Sequence, residues 1–257
     1  MRALAQWRLL RALLCRRTAD APVGSYARRL CQSLVLPASF YLMIAAYQLC
    51  NWYNLGYADD VLGRDRLALP LDDWIPFTPW VLPVYLSFFG FFRLHRSLVL
   101  QGVAGMRQYR TLESGLVAVT CVSCAIFLYF PSQVELRDAA LDSLRPGVLP
   151  PWLASACAGL YALDGSFNAW PSLHVSLPLL IMLATTHLAL FGRWQTLCLW
   201  LWLVAVVSSV VLLKQHYVWD VLSAVIMVTL VWVLWLRPRL DGVSTLPVRR
   251  LPQERAA

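Results

Sequence analysis

Three side chains in two short segments of this chain could together carry nucleophilic and acid–base chemistry. His174 lies in NAWPSLHVSLP, residues 168–178, and His216 and Asp220 lie in KQHYVWD, residues 214–220. If a helix begins early enough to carry both His216 and Asp220, their i, i+4 spacing puts them on one face. The carboxylate can then hold one imidazole nitrogen and leave the other free to attack, which is the orienting logic of a catalytic triad applied to a histidine nucleophile. His174 suits the general acid that protonates a departing oxygen, because an imidazole titrates near neutrality. Pro171 is expected in the first turn of a helix, with Ser172 and His174 just inside it, where free backbone N–H groups favour an anion. Ser172 and Asn168 are candidates for hydrogen bonds to that anion, and equally for capping the helix.

The elements that must position these groups are read from the apolar residues. The chain is 59% hydrophobic and 14% charged over 257 residues, and its mean hydropathy of +0.59 exceeds what one water-soluble core can hide. Uninterrupted apolar runs fall at about 33–51, 76–94, 113–131, 172–191, 195–213 and 219–236, each near the roughly 20 residues that cross a bilayer as a helix. The expected fold is therefore all-α, a polytopic membrane bundle of six transmembrane helices over residues 33–236. A basic cytoplasmic segment, 1–32, precedes it and a cytoplasmic tail, 237–257, follows.

Arginine placement sets the orientation, because segments rich in Lys and Arg stay in the cytoplasm. The first thirty residues carry Arg2, Arg8, Arg11, Arg16, Arg17, Arg28 and Arg29; Arg93, Arg96, Arg107 and Arg110 flank the second connection, and Arg237, Arg239, Arg249, Arg250 and Arg255 lie in the tail. Both termini are expected inside, with the amino-terminal stretch lying on the inner leaflet rather than forming a cleaved signal. The acidic connections, with Asp59, Asp60, Asp65, Asp72, Asp73, Glu135, Asp138, Asp142 and Asp164, face outward, and both histidine segments arrive at that outer surface. The net charge of +8 reads as topology and contact with anionic headgroups, not as a nucleic-acid footprint. The seven cysteines read as packing residues. Cys121 and Cys124 lack the second pair a zinc site needs, while a Cys50–Cys157 disulfide stays open. His95 and His187 fall at inner ends and are expected to be structural. PPWLASACAGLYAL, 150–163, suits a short interfacial helix or a covering loop.

PSLH followed downstream by HYVWD resembles the second and third signature motifs of the type 2 phosphatidic acid phosphatase superfamily. Within it, NAWPSLHV, KQHYVWDVLSA and DDWIPFTPWVLPVYLSFF resemble the branch of inositol phosphorylceramide synthases, and Leu173 in place of the wider family's glycine points the same way. The resemblance implies that His216 accepts the phosphate, Asp220 partners it and His174 is the acid, with no metal and no cofactor. Two departures stand out. Phe130 and Asp138 occupy the lysine and proline positions of the usual first motif around Arg137, and Val210 stands where an arginine usually precedes the nucleophile. Arg137 and Lys214, the chain's sole lysine, are the expected replacements for phosphate neutralisation, with Arg145 as a rival to Arg137.

The implied partners are membrane lipids carrying a phosphate headgroup, with water or a lipid or alcohol hydroxyl as acceptor, in a bacterial inner membrane with the active site periplasmic or lumenal. Transfer of a phosphoinositol-type headgroup competes with hydrolysis of phosphatidate, phosphatidylglycerol phosphate or a polyprenyl diphosphate. A transporter or scaffold with a decayed site is the alternative class, and dispensability of His216 would mark it. Oligomeric state is not legible.

Overall fold

The computed structural model describes residues 38–57, 64–96, 98, 102–142, 144, 148–165 and 167–245. The basic amino-terminal segment, Cys15, Cys31, Asp59, Asp60, Arg145 and the last part of the tail lie outside the described residues. Those described form an all-helical chain without strands, in the order α1 (Ala38–Tyr57), α2 (Pro79–Leu94), α3 (Gly102–Tyr129), α4 (Leu136–Asp142), α5 (Pro151–Leu163), α6 (Leu173–His187), α7 (Arg193–Leu212), α8 (Val218–Val231) and α9 (Arg237–Thr245). Among the described residues, Gly105–Tyr129, Arg193–Leu212 and Val218–Val243 are long and apolar enough to cross a membrane, which fits an integral membrane protein.

α6 is the centre of the bundle. It is apolar on every side, the pattern of a helix enclosed by others, and it packs against α2, α3, α7 and α8. Leu180, Ile181, Met182 and Ala184 are fully buried. The surrounding helices carry the opposite burden: Leu42, Leu201, Val204 and Leu234 are exposed, an apolar belt of the kind that faces lipid.

Several boundaries differ from the sequence expectation, and α1 runs on to Tyr57, past the expected end at 51. α3 begins at Gly102 because the arginine-bearing segment before the apolar run is itself helical. At the carboxyl end, a π-helical turn over Trp232–Leu236 joins α8 to α9, so the tail expected from residue 237 starts as helix. The turn shifts the Arg237 N–H onto the Trp232 carbonyl, relieving the crowding that Pro238 would impose on a regular α-helix. Finally, Pro171 precedes α6 instead of entering its first turn: the Trp170–Pro171 bond is cis, Ser172 is the N-cap residue and Leu173 is the first helical residue.

α2 is segmented by Pro79 and Pro83 into α-helical and 3-10 turns, and α7 holds it in place. A Cβ on Gly90 would sit 2.5 Å from the Trp202 ring, so only glycine permits this approach. Phe91 stacks on the same ring at 4.0 Å, and the Trp202 indole N–H donates to Ser87 Oγ at 2.7 Å. This docking fixes Tyr85, one turn earlier, in the core.

The PPWLASACAGLYAL segment is helical as α5, burying Leu153, Cys157 and Tyr161. Cys50 and Cys157 are free thiols in separate packing environments, so no disulfide joins them. At the opposite end of the bundle His95 is buried, donates from Nε2 to Glu113 Oε1 at 2.5 Å and stacks on Tyr109. His187 pairs with Asp241 at 2.7 Å.

Candidate active site

The start of α6 and the loop joining α7 to α8 meet at one end of the bundle. Ser172 N–H donates to the Asp220 carbonyl at 3.3 Å, tying the two N-termini together. That contact brings the imidazoles side by side, with His216 Nε2 3.5 Å from His174 Nδ1.

α8 begins later than the i, i+4 reasoning required. Tyr217 is its N-cap residue and Val218 its first helical residue, leaving His216 in the preceding loop. The two side chains meet because Asp220, at the third helical position, folds back over the helix start. Its Oδ2 accepts the Tyr217 N–H at 2.9 Å and lies 3.4 Å from His216 Nδ1. The nearer partner of Nδ1 is the Ala169 carbonyl, at 2.9 Å. A carbonyl only accepts, so Nδ1 carries the proton and Nε2, facing His174, has the free lone pair.

The other side of His174 is fixed by residues that spacing did not reveal. Its Nε2 lies 2.8 Å from the Tyr85 hydroxyl, which donates its own proton to Asp164 Oδ2 at 2.9 Å. The Tyr47 hydroxyl donates to the second carboxylate oxygen, Oδ1. Tyr85 sits inside the VLPVYLSFF run and Asp164 among the outer acidic residues, yet their partnership spans long sequence separations and leaves no local signature. Asp164 closes α5, outside the spanning helices. Burial alone drives its carboxyl upward, but the nearby His174 and Arg137 charges and the Tyr47 hydroxyl outweigh it and hold the group below the usual aspartate range.

The remaining candidates are distributed around this pair. Arg137 is buried; Nη1 donates to the Asp164 backbone carbonyl and Nη2 to Gln215 Oε1, while Nε has no hydrogen-bond partner. Its charge acts on His174 as well as Asp164. Lys214, in a left-handed conformation with φ of 53°, directs Nζ to the carbonyls of Asp72 at 2.9 Å and Ile75 at 2.5 Å. It clamps the short helix Pro70–Trp74 under the site, where Asp72 Oδ1 also accepts the Val218 N–H at 2.8 Å. Asn168 donates to the Tyr47 carbonyl at 2.8 Å and accepts from Asn54 at 3.1 Å, anchoring its loop to α1. Ser172 makes no side-chain cap: its hydroxyl is buried without a hydrogen-bond partner. Among the described residues no group of three or more His, Cys, Asp or Glu side chains could hold a metal ion.

A cavity of about 250 Å³ opens beside His174, between α1, α2, α5 and α6. Tyr47, Tyr85, Asp164 and His174 form its polar end; Phe40, Met43, Phe88, Phe89, Leu163 and Leu177 are among its apolar walls. His216 is not among the residues lining it. The arrangement can therefore attack an electrophile with one imidazole, exchange a proton through the other, and offer apolar space beside His174.

Neither the curated proteins nor the solved structures yield a match to this chain. A family model does: that of the PAP2 superfamily matches residues 84–234, from just before Tyr85 to the π-helical turn, and so includes both histidines and Asp220. The match covers more than half of the 257 residues. The chain belongs to the PAP2 superfamily, whose membership suggests a phosphatase or phosphotransferase acting on lipid phosphates.

Proposed function

We propose that this protein transfers phosphoryl-containing groups of membrane lipids through a phosphohistidine on His216. The observation that carries the reading is the opposed pair of ring nitrogens, 3.5 Å apart, with the far side of each ring engaged elsewhere. His216 Nε2 attacks phosphorus, the N–P bond forms as the bond from phosphorus to the leaving oxygen breaks, and the proton on His174 Nδ1 passes to that oxygen. In the second half an acceptor gives its proton to His174 Nδ1 while its oxygen displaces His216. Asp220 supports the charge that develops on the nucleophilic ring.

Phosphate binding draws on groups already buried at the site. The orphaned Ser172 hydroxyl and the free Arg137 Nε are polar atoms without partners, and such atoms call for a ligand. Arg137 also supplies positive charge near His174. Phosphate contact from Lys214 or Asn168 requires them to exchange their present bonds to the Asp72, Ile75 and Tyr47 carbonyls.

The apolar cavity beside His174 supports a lipid on the oxygen that exchanges its proton there. A lipid hydroxyl as acceptor makes the protein a headgroup transferase, in keeping with the sequence resemblance to inositol phosphorylceramide synthases; water as acceptor makes it a lipid phosphate phosphatase. In this reading six helices cross the membrane, α1, α2 and α6 beside the three longer ones, with both termini in the cytoplasm and the site at the outer face of a bacterial inner membrane. The arginine distribution supports this orientation.

The test is to incubate purified protein with radiolabelled lipid phosphates, with and without acceptor lipids, beside His216→Ala. Labelled free phosphate identifies hydrolysis and a new labelled lipid identifies transfer. Equal turnover by His216→Ala contradicts the reading and favours a transporter or scaffold.

A further inference from the structure

We propose that Tyr85 and Asp164 are positioning residues that hold one proton of His174 on Nε2 and so reserve Nδ1, the nitrogen facing His216, for the proton exchanged in the reaction. The inference rests on the phosphohistidine reading and assigns residues that the signature motifs do not contain.

The geometry fixes each proton in turn. Asp164 is an acceptor, so the Tyr85 hydroxyl proton points to its Oδ2, at 2.9 Å. The phenol oxygen is then free to accept, and the group within reach is His174 Nε2, at 2.8 Å. Nε2 must carry a hydrogen to make that bond. Any further proton on the ring sits on Nδ1, 3.5 Å from the nucleophile and so placed for the leaving oxygen. Without Tyr85 either ring nitrogen could hold the single proton of the neutral imidazole, and a proton on the wrong one makes Nδ1 useless as the base of the second half-reaction.

The surroundings suit such a chain. Tyr85 and Asp164 are both buried. Tyr85 and Phe88 hold the His174 ring from α2, each with centroids 4.8 Å from it. Arg137 donates to the backbone carbonyl of Asp164, leaving both carboxylate oxygens to the phenols of Tyr85 and Tyr47. Among the described residues no hydrogen bond joins Tyr85 or Asp164 to His216, so both act through His174 and not on the phosphorus.

A leaving group that needs no proton separates this role from a merely structural one. Phosphatidate releases an alkoxide that His174 must protonate, whereas 4-nitrophenyl phosphate releases a phenolate stable without it. Tyr85→Phe keeps the ring volume and deletes the hydroxyl; Asp164→Asn keeps the shape and deletes the charge. Relative to wild type, both are expected to lose about 10²-fold or more in turnover of phosphatidate in mixed micelles, with formation of the phosphoenzyme from 4-nitrophenyl phosphate falling far less. Equal losses on the two substrates, or no loss on either, overturn the proposal. If Tyr85→Phe does not fold, Asp164→Asn decides alone by the same comparison. A wild-type protein inactive on both substrates contradicts the phosphohistidine reading itself, an outcome distinct from an active wild type whose variants show no leaving-group dependence.

Discussion

His216 Nε2 and His174 Nδ1 face each other across 3.5 Å, and the hydrogen bonds on the far sides of the neutral rings leave both nitrogens without a proton. The Ala169 carbonyl takes the His216 Nδ1 proton at 2.9 Å, and the Tyr85 oxygen takes the His174 Nε2 proton at 2.8 Å. Two lone pairs at this separation repel unless something lies between or beside them. A proton taken up by Nδ1 relieves the conflict, and an electrophilic phosphorus relieves it during reaction. The tautomers are thus set by bonds outside the reacting pair.

Asp220 is expected to matter less than the partner of a nucleophile usually does. The Ala169 carbonyl already sets the His216 tautomer, so Asp220→Asn removes charge support without scrambling the ring. Loss of a hydrogen bond to a charged group, at about 1.5–3 kcal/mol, corresponds to a fall in kcat of roughly 10–10²-fold. Asp220→Ala also deletes the acceptor of the Tyr217 N–H and is expected to cost about 1 kcal/mol of stability in addition. Turnover and thermal unfolding of the two variants in one detergent check both parts.

Ser172 and Asn168, four positions apart on one loop, should respond in opposite ways. Ser172→Ala removes a buried hydroxyl that has no partner, so stability is expected to hold or rise while kcat/KM for a lipid phosphate falls about tenfold or more, the worth of one hydrogen bond to a charged group. Asn168→Ala breaks the bonds to Tyr47 and Asn54 and is expected to cost about 1–3 kcal/mol of stability. Its KM should stay close to wild type in the fraction that remains folded. A Ser172→Ala protein with unchanged kinetics contradicts the phosphate role of that hydroxyl.

Lys214→Met tests whether the chain's sole lysine is a clamp or a phosphate ligand. The charged bonds from Nζ to the Asp72 and Ile75 carbonyls are expected to be worth about 1.5–3 kcal/mol apiece. Their loss should appear as a lowered unfolding temperature and as faster proteolysis of residues 69–78. Full stability with a raised KM would instead favour direct contact with phosphate.

The Asp164 carboxyl gives stability a defined pH dependence. Its folded value lies below the ordinary aspartate range, with burial opposing the shift and the His174 and Arg137 charges and the Tyr47 hydroxyl producing it. A group depressed on folding stabilises fully above its unfolded value, about 3.9, and loses that contribution as pH falls through the lower folded value. Wild type is therefore expected to lose stability as pH falls below about 4, and Asp164→Asn to lose less over the same window. Parallel unfolding curves for the two proteins would show that Asp164 carries no such linkage.

The parts of the site that were legible in the sequence are those held by local chemistry. The PSLH and HYVWD segments needed no long-range information, and each apolar run falls on a helix, although α1 reaches Tyr57 and not 51, α3 starts at Gly102 and not 113, and helix continues past 236 as α9. What spacing could not supply came from contacts between distant segments. The approach of His216 to Asp220 depends on an N-cap fold, not on a shared helical face. Lys214, two residues from His216, is turned away by its left-handed backbone. Tyr85 meets His174 because Gly90 lets α2 press against Trp202, a packing fact with no motif. Asp164 reads as one more acidic residue in an outer connection until α5 brings it beneath two tyrosines.

The most direct test of the central claim is to react the purified protein briefly with lipid phosphate labelled at phosphorus, quench it under conditions that preserve phosphohistidine, and map the label by mass spectrometry. The expected result is a covalent phosphate on the peptide carrying His216, absent from His216→Ala. Turnover without a labelled enzyme, or label on any other residue, would contradict the assignment of His216 as the nucleophile.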